Sequence, residues 1–161
     1  MTVNGDLSVD AASSIDVSAK GFAFQKGPGA TTHHADYRSA SHGGKGGWPG
    51  NAVCYGSIRH PVTLGSGGDY LSPSYGGGAA KIVVTGATML DGLISADAAK
   101  VEHYPAAGGS VWLVTGTLSG QGSISANGGT RTSSTKIGGG GGRVSVQLTG
   151  TDATFASFAN A

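Results

Sequence analysis

Cysteine is almost absent from the 161 residues: Cys54 stands alone, so no internal disulfide framework is available. Charge is scarce as well. Charged residues make up 12% and the net charge is +1, with no run of Lys and Arg that could neutralise a phosphate backbone, which argues against a nucleic-acid partner. No stretch of eighteen or so apolar residues occurs, and this excludes a helical membrane span. The start, Met1-Thr2-Val3-Asn4-Gly5-Asp6, lacks the basic and apolar regions of a signal peptide, so Met1 is expected to begin an excised or processed piece. Large aliphatic residues are few too, and in a strongly charged chain that would mean disorder. Here the charge is low and 31 glycines accompany many Ser and Thr, a composition suited to short strands and close turns. Sustained helix is disfavoured, because each interior glycine costs about 1 kcal/mol relative to alanine.

What is present is a repeat. Ala80–Ala99 (AKIVVTGATMLDGLISADAA) aligns without gaps on Ser110–Gly129 (SVWLVTGTLSGQGSISANGG). Val84/Val114, Thr85/Thr115, Gly86/Gly116, Gly92/Gly122, Ile94/Ile124, Ser95/Ser125 and Ala96/Ala126 are identical pairs, which places Trp112 opposite Ile82 and gives a repeat of about thirty residues. A further copy opens the chain, with Val3-Asn4-Gly5 and Val17–Gly21 as its matching parts, and a weaker one closes it from Arg143. Within the copies apolar residues alternate with small polar ones, the period of a strand. One copy cannot cover its own apolar side, whereas stacked copies bury a continuous column. The expected fold is therefore all-β: a right-handed parallel β-helix, or β-solenoid, forming a single domain over 1–161. Its parts are a first rung at 1–21, irregular loops with a hidden rung near Cys54–Ile58 and Val62–Gly65 at 22–79, two clear repeats at 80–129, a glycine-rich loop at 130–142 and a last rung at 143–161. That glycine-rich loop reads as a flexible connector. The alternative is that it and His42–Gly47 lie extended against the solenoid, backbone on backbone.

The elements GTLSGQGSISANGG, GGGGGRVSV, YGGGAAKIVVTG and HGGKGGWPG together resemble the glycine-rich β-helical segments of large bacterial and environmental surface or secreted proteins. The resemblance spans Val3 to about Leu148 and is architectural. It implies a pectin-lyase-like right-handed β-helix in an extracellular or cell-surface, carbohydrate-rich setting, and it carries over no catalytic residue and no cofactor.

Chemistry concentrates where the repeat fails, between Phe22 and Ala79. His33, His34, Asp36 and His42 are of the ligand types a transition metal takes, although a solvated polar loop is the better account of them. Tyr37, Trp48, Tyr55, Tyr70 and Tyr75 offer flat apolar faces to sugars, or else pack loops onto the solenoid wall. Lys45, Arg59 and His60 with Asp69 are the groups a β-helical polysaccharide lyase would need, a base and a partner for a uronate carboxylate, while a glycoside hydrolase would draw two carboxylates from Asp36, Asp69, Asp91 and Asp97, although no close acidic pair marks them. Thr85 and Thr115 begin a threonine ladder of the ice-binding kind that ends at Ala87. The leading expectation is a non-catalytic surface module, a spacer with a glycan-binding or adhesive face. A polysaccharide-degrading enzyme is the alternative, and a purely structural module that self-associates through its solenoid ends is the third.

Overall fold

The computed structural model describes residues 1–30, 39–47, 53–68, 74–101, 104–131 and 137–159. Ten strands run in chain order: β1 (Thr2–Val3), β2 (Leu7–Val9), β3 (Ser14–Asp16), β4 (Ala79–Val84), β5 (Ala87–Leu90), β6 (Leu93–Ser95), β7 (Ser110–Thr115), β8 (Thr117–Ser119), β9 (Ser123–Ser125) and β10 (Arg143–Leu148). Every third strand returns to the same sheet. The three sheets are β1-β4-β7-β10 (sheet A), β2-β5-β8 (sheet B) and β3-β6-β9 (sheet C), and every pairing is parallel. The molecule is thus all-β, with no helix among the described residues, and fits a β-solenoid. None of those residues belongs to a helix long and apolar enough to cross a membrane.

Strand alternation builds the core. Ile82, Val84, Leu90, Ile94, Val111, Leu113 and Leu118 are buried in one cluster, flanked by Val9 below and by Phe158 above. Phe158 is placed over the coil by a bridge to Gly120. Two threonines are also fully buried there, Thr88 and Thr115, with their hydroxyl oxygens 2.8 Å apart. Thr115 reaches the carbonyls of Gly86 and Thr117, so its proton goes to a carbonyl and the Thr88 hydroxyl donates to Thr115.

The register in sheets B and C is the one the sequence alignment gives: Thr88 pairs with Leu118 and Ile94 with Ile124. Sheet A is shifted by one residue. Lys81, not Ile82, is the partner of Trp112, and Ile82 pairs with Leu113. This follows from the corners. Two residues, Thr85 and Gly86, separate β4 from β5, whereas Gly116 alone separates β7 from β8. The ladder of Thr85 and Thr115 is overturned by the same shift, since Thr85 is exposed and Thr115 buried.

The segments between the third strand of one coil and the first of the next form a second body. The hidden rung expected near 54–58 and 62–65 is not there, because no described residue between β3 and β4 is in a strand. Instead, backbone bonds run sideways in several directions. Segment 74–78 alone exchanges them with residues 17–22 (Gly21 N to Gly76 O, Gly76 N to Phe22 O), with 65–68 (Gly65 N to Gly77 O, Gly68 N to Ser74 O), with Ala99 and with Ala107. A β-strand serves two neighbours in a plane; this segment serves four. Such an array requires bare backbones. At Gly109 an added Cβ would collide with the Gly78 carbonyl oxygen, and at Gly77 with that of Ala96. The run ending at Gly142 belongs to the array, with Gly43 and Gly44 both donating to Gly141 O and Gly47 to Gly138 O. The glycine segments therefore lie backbone on backbone, and the flexible-connector reading is corrected for Ile137–Gly142.

Candidate functional site

The outer face of sheet A carries polar and aromatic side chains from three adjacent strands. Because Ala80, Ile82 and Val84 point inward, Lys81 points outward, and in register with it stand Trp112 of β7 and Ser145 of β10. Residues 53–64 cross this face as a strap. Ser145 Oγ and Gln147 Nε2 donate to the Arg59 carbonyl at 2.9 and 3.1 Å, Ser110 Oγ donates to Thr63 O at 2.6 Å, and Arg143 Nε donates to Tyr55 O at 3.0 Å. Trp112 has Lys81 Nζ 4.4 Å from its ring centre and the centre of the tilted His60 ring 4.8 Å away. Its indole N–H is buried and has no acceptor. Beside it Ile58 and Val62 are exposed, 74% and 53%.

Among the described residues the charge on this face is of one sign. Four of the six described aspartates accept backbone bonds elsewhere: Asp6 from Ala87 N, Asp16 from Ser18 N, Asp91 from Gln121 N and Asp97 from Asn127 N. None of the described carboxylates pairs with Lys81, Arg59 or Arg143.

A second cluster centres on His42, which is fully buried. Its Nδ1 lies 2.7 Å from Gly108 O and its Nε2 2.8 Å from Thr63 Oγ1. A carbonyl can only accept, so Nδ1 carries the proton and the Thr63 hydroxyl donates to Nε2. Loss of hydration on burial pushes the His42 pKa below the usual imidazole value; the Gly108 bond opposes this and the nearby Arg143 charge adds to it. The Tyr55 ring lies tilted on the imidazole at 4.6 Å, and its hydroxyl donates to Leu64 O and bonds Ser66 Oγ, both at 2.7 Å. Burial pushes the Tyr55 phenol up.

These geometries sort the residues picked from sequence. His42 is no metal ligand as it stands, because both ring nitrogens are taken. No group of three or more His, Cys, Asp or Glu among the described residues could hold a metal ion. His33, His34, Asp36, Tyr37, Trp48, Asp69 and Tyr70 lie outside the described residues. Tyr55 is a packing residue whose hydroxyl is twice bonded, not a flat exposed ring. Tyr75 is 42% exposed, and Ala99 N donates to its carbonyl. Arg59 and His60 are brought together on the strap, whereas Lys45 sits exposed on the glycine segment 39–47 and makes no polar contact with either. Sequence reasoning missed the pairing of Trp112 with Lys81. The signal was there: a lysine cannot share the inward parity of Ala80 and Ile82, so an alternation test would have put Lys81 and Trp112 on one face.

No family model matches the chain, nor does any curated protein or solved structure.

Proposed function

We propose that this chain is a non-catalytic module of a surface or secreted protein, a right-handed β-solenoid spacer of roughly thirty residues per coil that recognises glycans through the outer face of sheet A. The observation that carries the reading is the half-buried Trp112 ring with Lys81 over it and His60 tilted beside it, on a face whose Lys81, Arg59 and Arg143 lack carboxylate partners among the described residues. An aromatic ring suits the C–H face of a sugar, unpaired cations suit a carboxylate or sulfate on it, and Ser145 and Gln147 hold the strap in place. The favoured ligand is therefore an acidic polysaccharide. A lyase or hydrolase using the same face gains less support, because the His60 ring packs at a tilt against Trp112 and no described carboxylate accompanies it.

The test is a screen of uronate, sulfated and neutral polysaccharides in which binding and product are both followed. Binding of an acidic polymer with no product formed is expected, weakened at least about tenfold by Trp112→Ala or Lys81→Ala, equivalent to about 1.4 kcal/mol. Product formation refutes the non-catalytic reading, and absence of binding across all three classes refutes glycan recognition.

A further inference from the structure

Away from sheet A, the arms that leave sheet C enclose a cleft of about 320 Å³, lined by Asp97, Ala98, Lys100, Asn127, Thr130 and the backbone of residues 128–129. Asp97 and Asn127 occupy equivalent places on successive coils, thirty residues apart, just after β6 and β9. Their side chains are locked to each other: Asn127 N donates to Asp97 Oδ1 at 2.6 Å and Asn127 Nδ2 to Asp97 Oδ2 at 3.3 Å. The arms beneath are tied by Ala98 N to Asn127 O and by Ala96 N to Ser125 O. Asp97 and the Asn127 amide are thus held to each other before any ligand arrives, which lowers their ordering cost on binding, while the Lys100 and Thr130 side chains are exposed.

We infer that this cleft binds a neutral sugar. Its donor and acceptor set excludes the simpler ligands. A phosphate or uronate would meet the Asp97 carboxylate, a metal cation would meet the Lys100 ammonium, and an apolar molecule would strip water from both without replacing a hydrogen bond. One Asn127 Nδ2 hydrogen goes to Asp97, which leaves the other hydrogen as a donor and the amide oxygen as an acceptor, while the Lys100 ammonium supplies donors and the Thr130 hydroxyl serves either way. Hydroxyl groups, each donor and acceptor at once, satisfy such a mixed neutral set. The volume lies at the small end of small-molecule sites, right for one or two sugar rings. The site is independent of the face around Trp112 and differs from it in charge preference.

The experiment is an NMR titration of the labelled protein, following the Asn127 side-chain amide, with glucose, galactose, mannose and N-acetylglucosamine and with galacturonate as the charged comparison. A saturable shift with at least one neutral sugar is expected, with Kd on the order of 1 mM, corresponding to about −4 kcal/mol. Lys100→Met, at an exposed position that tests the cleft without touching the Asp97–Asn127 lock, should weaken it at least about tenfold, and Asn127→Ala should abolish binding measured by saturation transfer. Trp112→Ala should leave it unchanged, so failure here and failure at sheet A are told apart. The inference is overturned if no neutral sugar gives a saturable shift, leaving a cleft that holds only water, if galacturonate binds as well as galactose, or if Lys100→Met binds like the parent.

Discussion

Replacing Gly109 by alanine adds a single methyl group, and the surroundings of that methyl decide its effect. It would collide with the Gly78 carbonyl oxygen and with the backbone of Gly77. No flexible side chain is there to swing aside, and the two backbones are fixed by neighbouring bonds, Gly109 N to Ala96 O, Ser110 N to Gly78 O and Gly77 N to Ala107 O. Overpacking in a well-packed interior costs about 1–3 kcal/mol, and a clash confined to backbone belongs at the upper end, about 3 kcal/mol. Gly141 is the control: it is exposed, its Cβ would meet nothing within 4 Å and its backbone is not in the left-handed region. Gly141→Ala should stabilise the protein by about 0.4–1 kcal/mol by narrowing the unfolded ensemble. Urea unfolding followed by tryptophan fluorescence gives both values, provided the slope is unchanged between variants. Two substitutions of equal chemistry should thus move the midpoint in opposite directions. If Gly109→Ala and Gly141→Ala agree within about 0.5 kcal/mol, the size expected of an unremarkable surface change, the array is not close-packed and the reading of its glycines is wrong.

Two further outcomes follow from the buried polar groups. His42 is held neutral, its folded pKa lying below the unfolded value of 6.5; its contribution to stability is complete above that pH and is lost as pH falls toward the folded pKa. The difference in unfolding free energy between the parent and His42→Gln should therefore shrink on acidification below 6.5, by at most about 1.4 kcal/mol per pH unit for one proton; a difference that stays flat from pH 7.5 to 5 would contradict the assignment. In the core, Thr115→Val strands the Thr88 hydroxyl and should cost about 1–3 kcal/mol, and adding Thr88→Val should recover part of that loss; strict additivity in denaturant unfolding would show that the two hydroxyls do not depend on each other.

The strands were legible because their signal is local. Alternation in Val111–Thr115 and Arg143–Leu148 marks the inward positions, and the alignment of the two clear repeats pairs sheets B and C as the structure does. Sheet A was misread for a specific reason. Gly86 and Gly116 do stack, with Gly116 N donating to Gly86 O, so the matching glycines at the corner are real partners; but the corner of one coil holds a residue more than the other, and the alignment carried the corner's register into the strand. The glycine array was legible only as a composition. Its bonds join segments far apart in sequence, such as Gly43 to Gly141 and Ala40 to Pro105, and bonds of that kind impose no period on either partner. His42 and Tyr55 looked like chemistry because nothing in the sequence says that Gly108, Thr63, Leu64 and Ser66 will surround them.

The array and the candidate faces are linked by what glycine leaves out. A body of largely bare backbones meets its own polar groups internally and has few side chains to offer a ligand, Lys45 and Tyr75 among them, so the proposed faces fall at its borders with the solenoid. The strap over sheet A is such a border. At one end Tyr55 is held by Leu64, Ser66 and the His42 carbonyl, and at the other Thr63 is held by His42 and Ser110, while Arg59 between them is pinned to β10. The cleft at Asp97 and Asn127 is another, lying where the arms leave sheet C. In both places the glycine segments supply position and not contact: they set residues of well-separated sequence against a parallel sheet whose rungs keep a fixed spacing of about 4.8 Å. On the outer face of sheet A this spacing sets Lys81, Trp112 and Ser145 one rung apart in a row, an extended arrangement for which the proposed ligand is a polymer, whereas the cleft is a separate hollow proposed for one or two sugar rings.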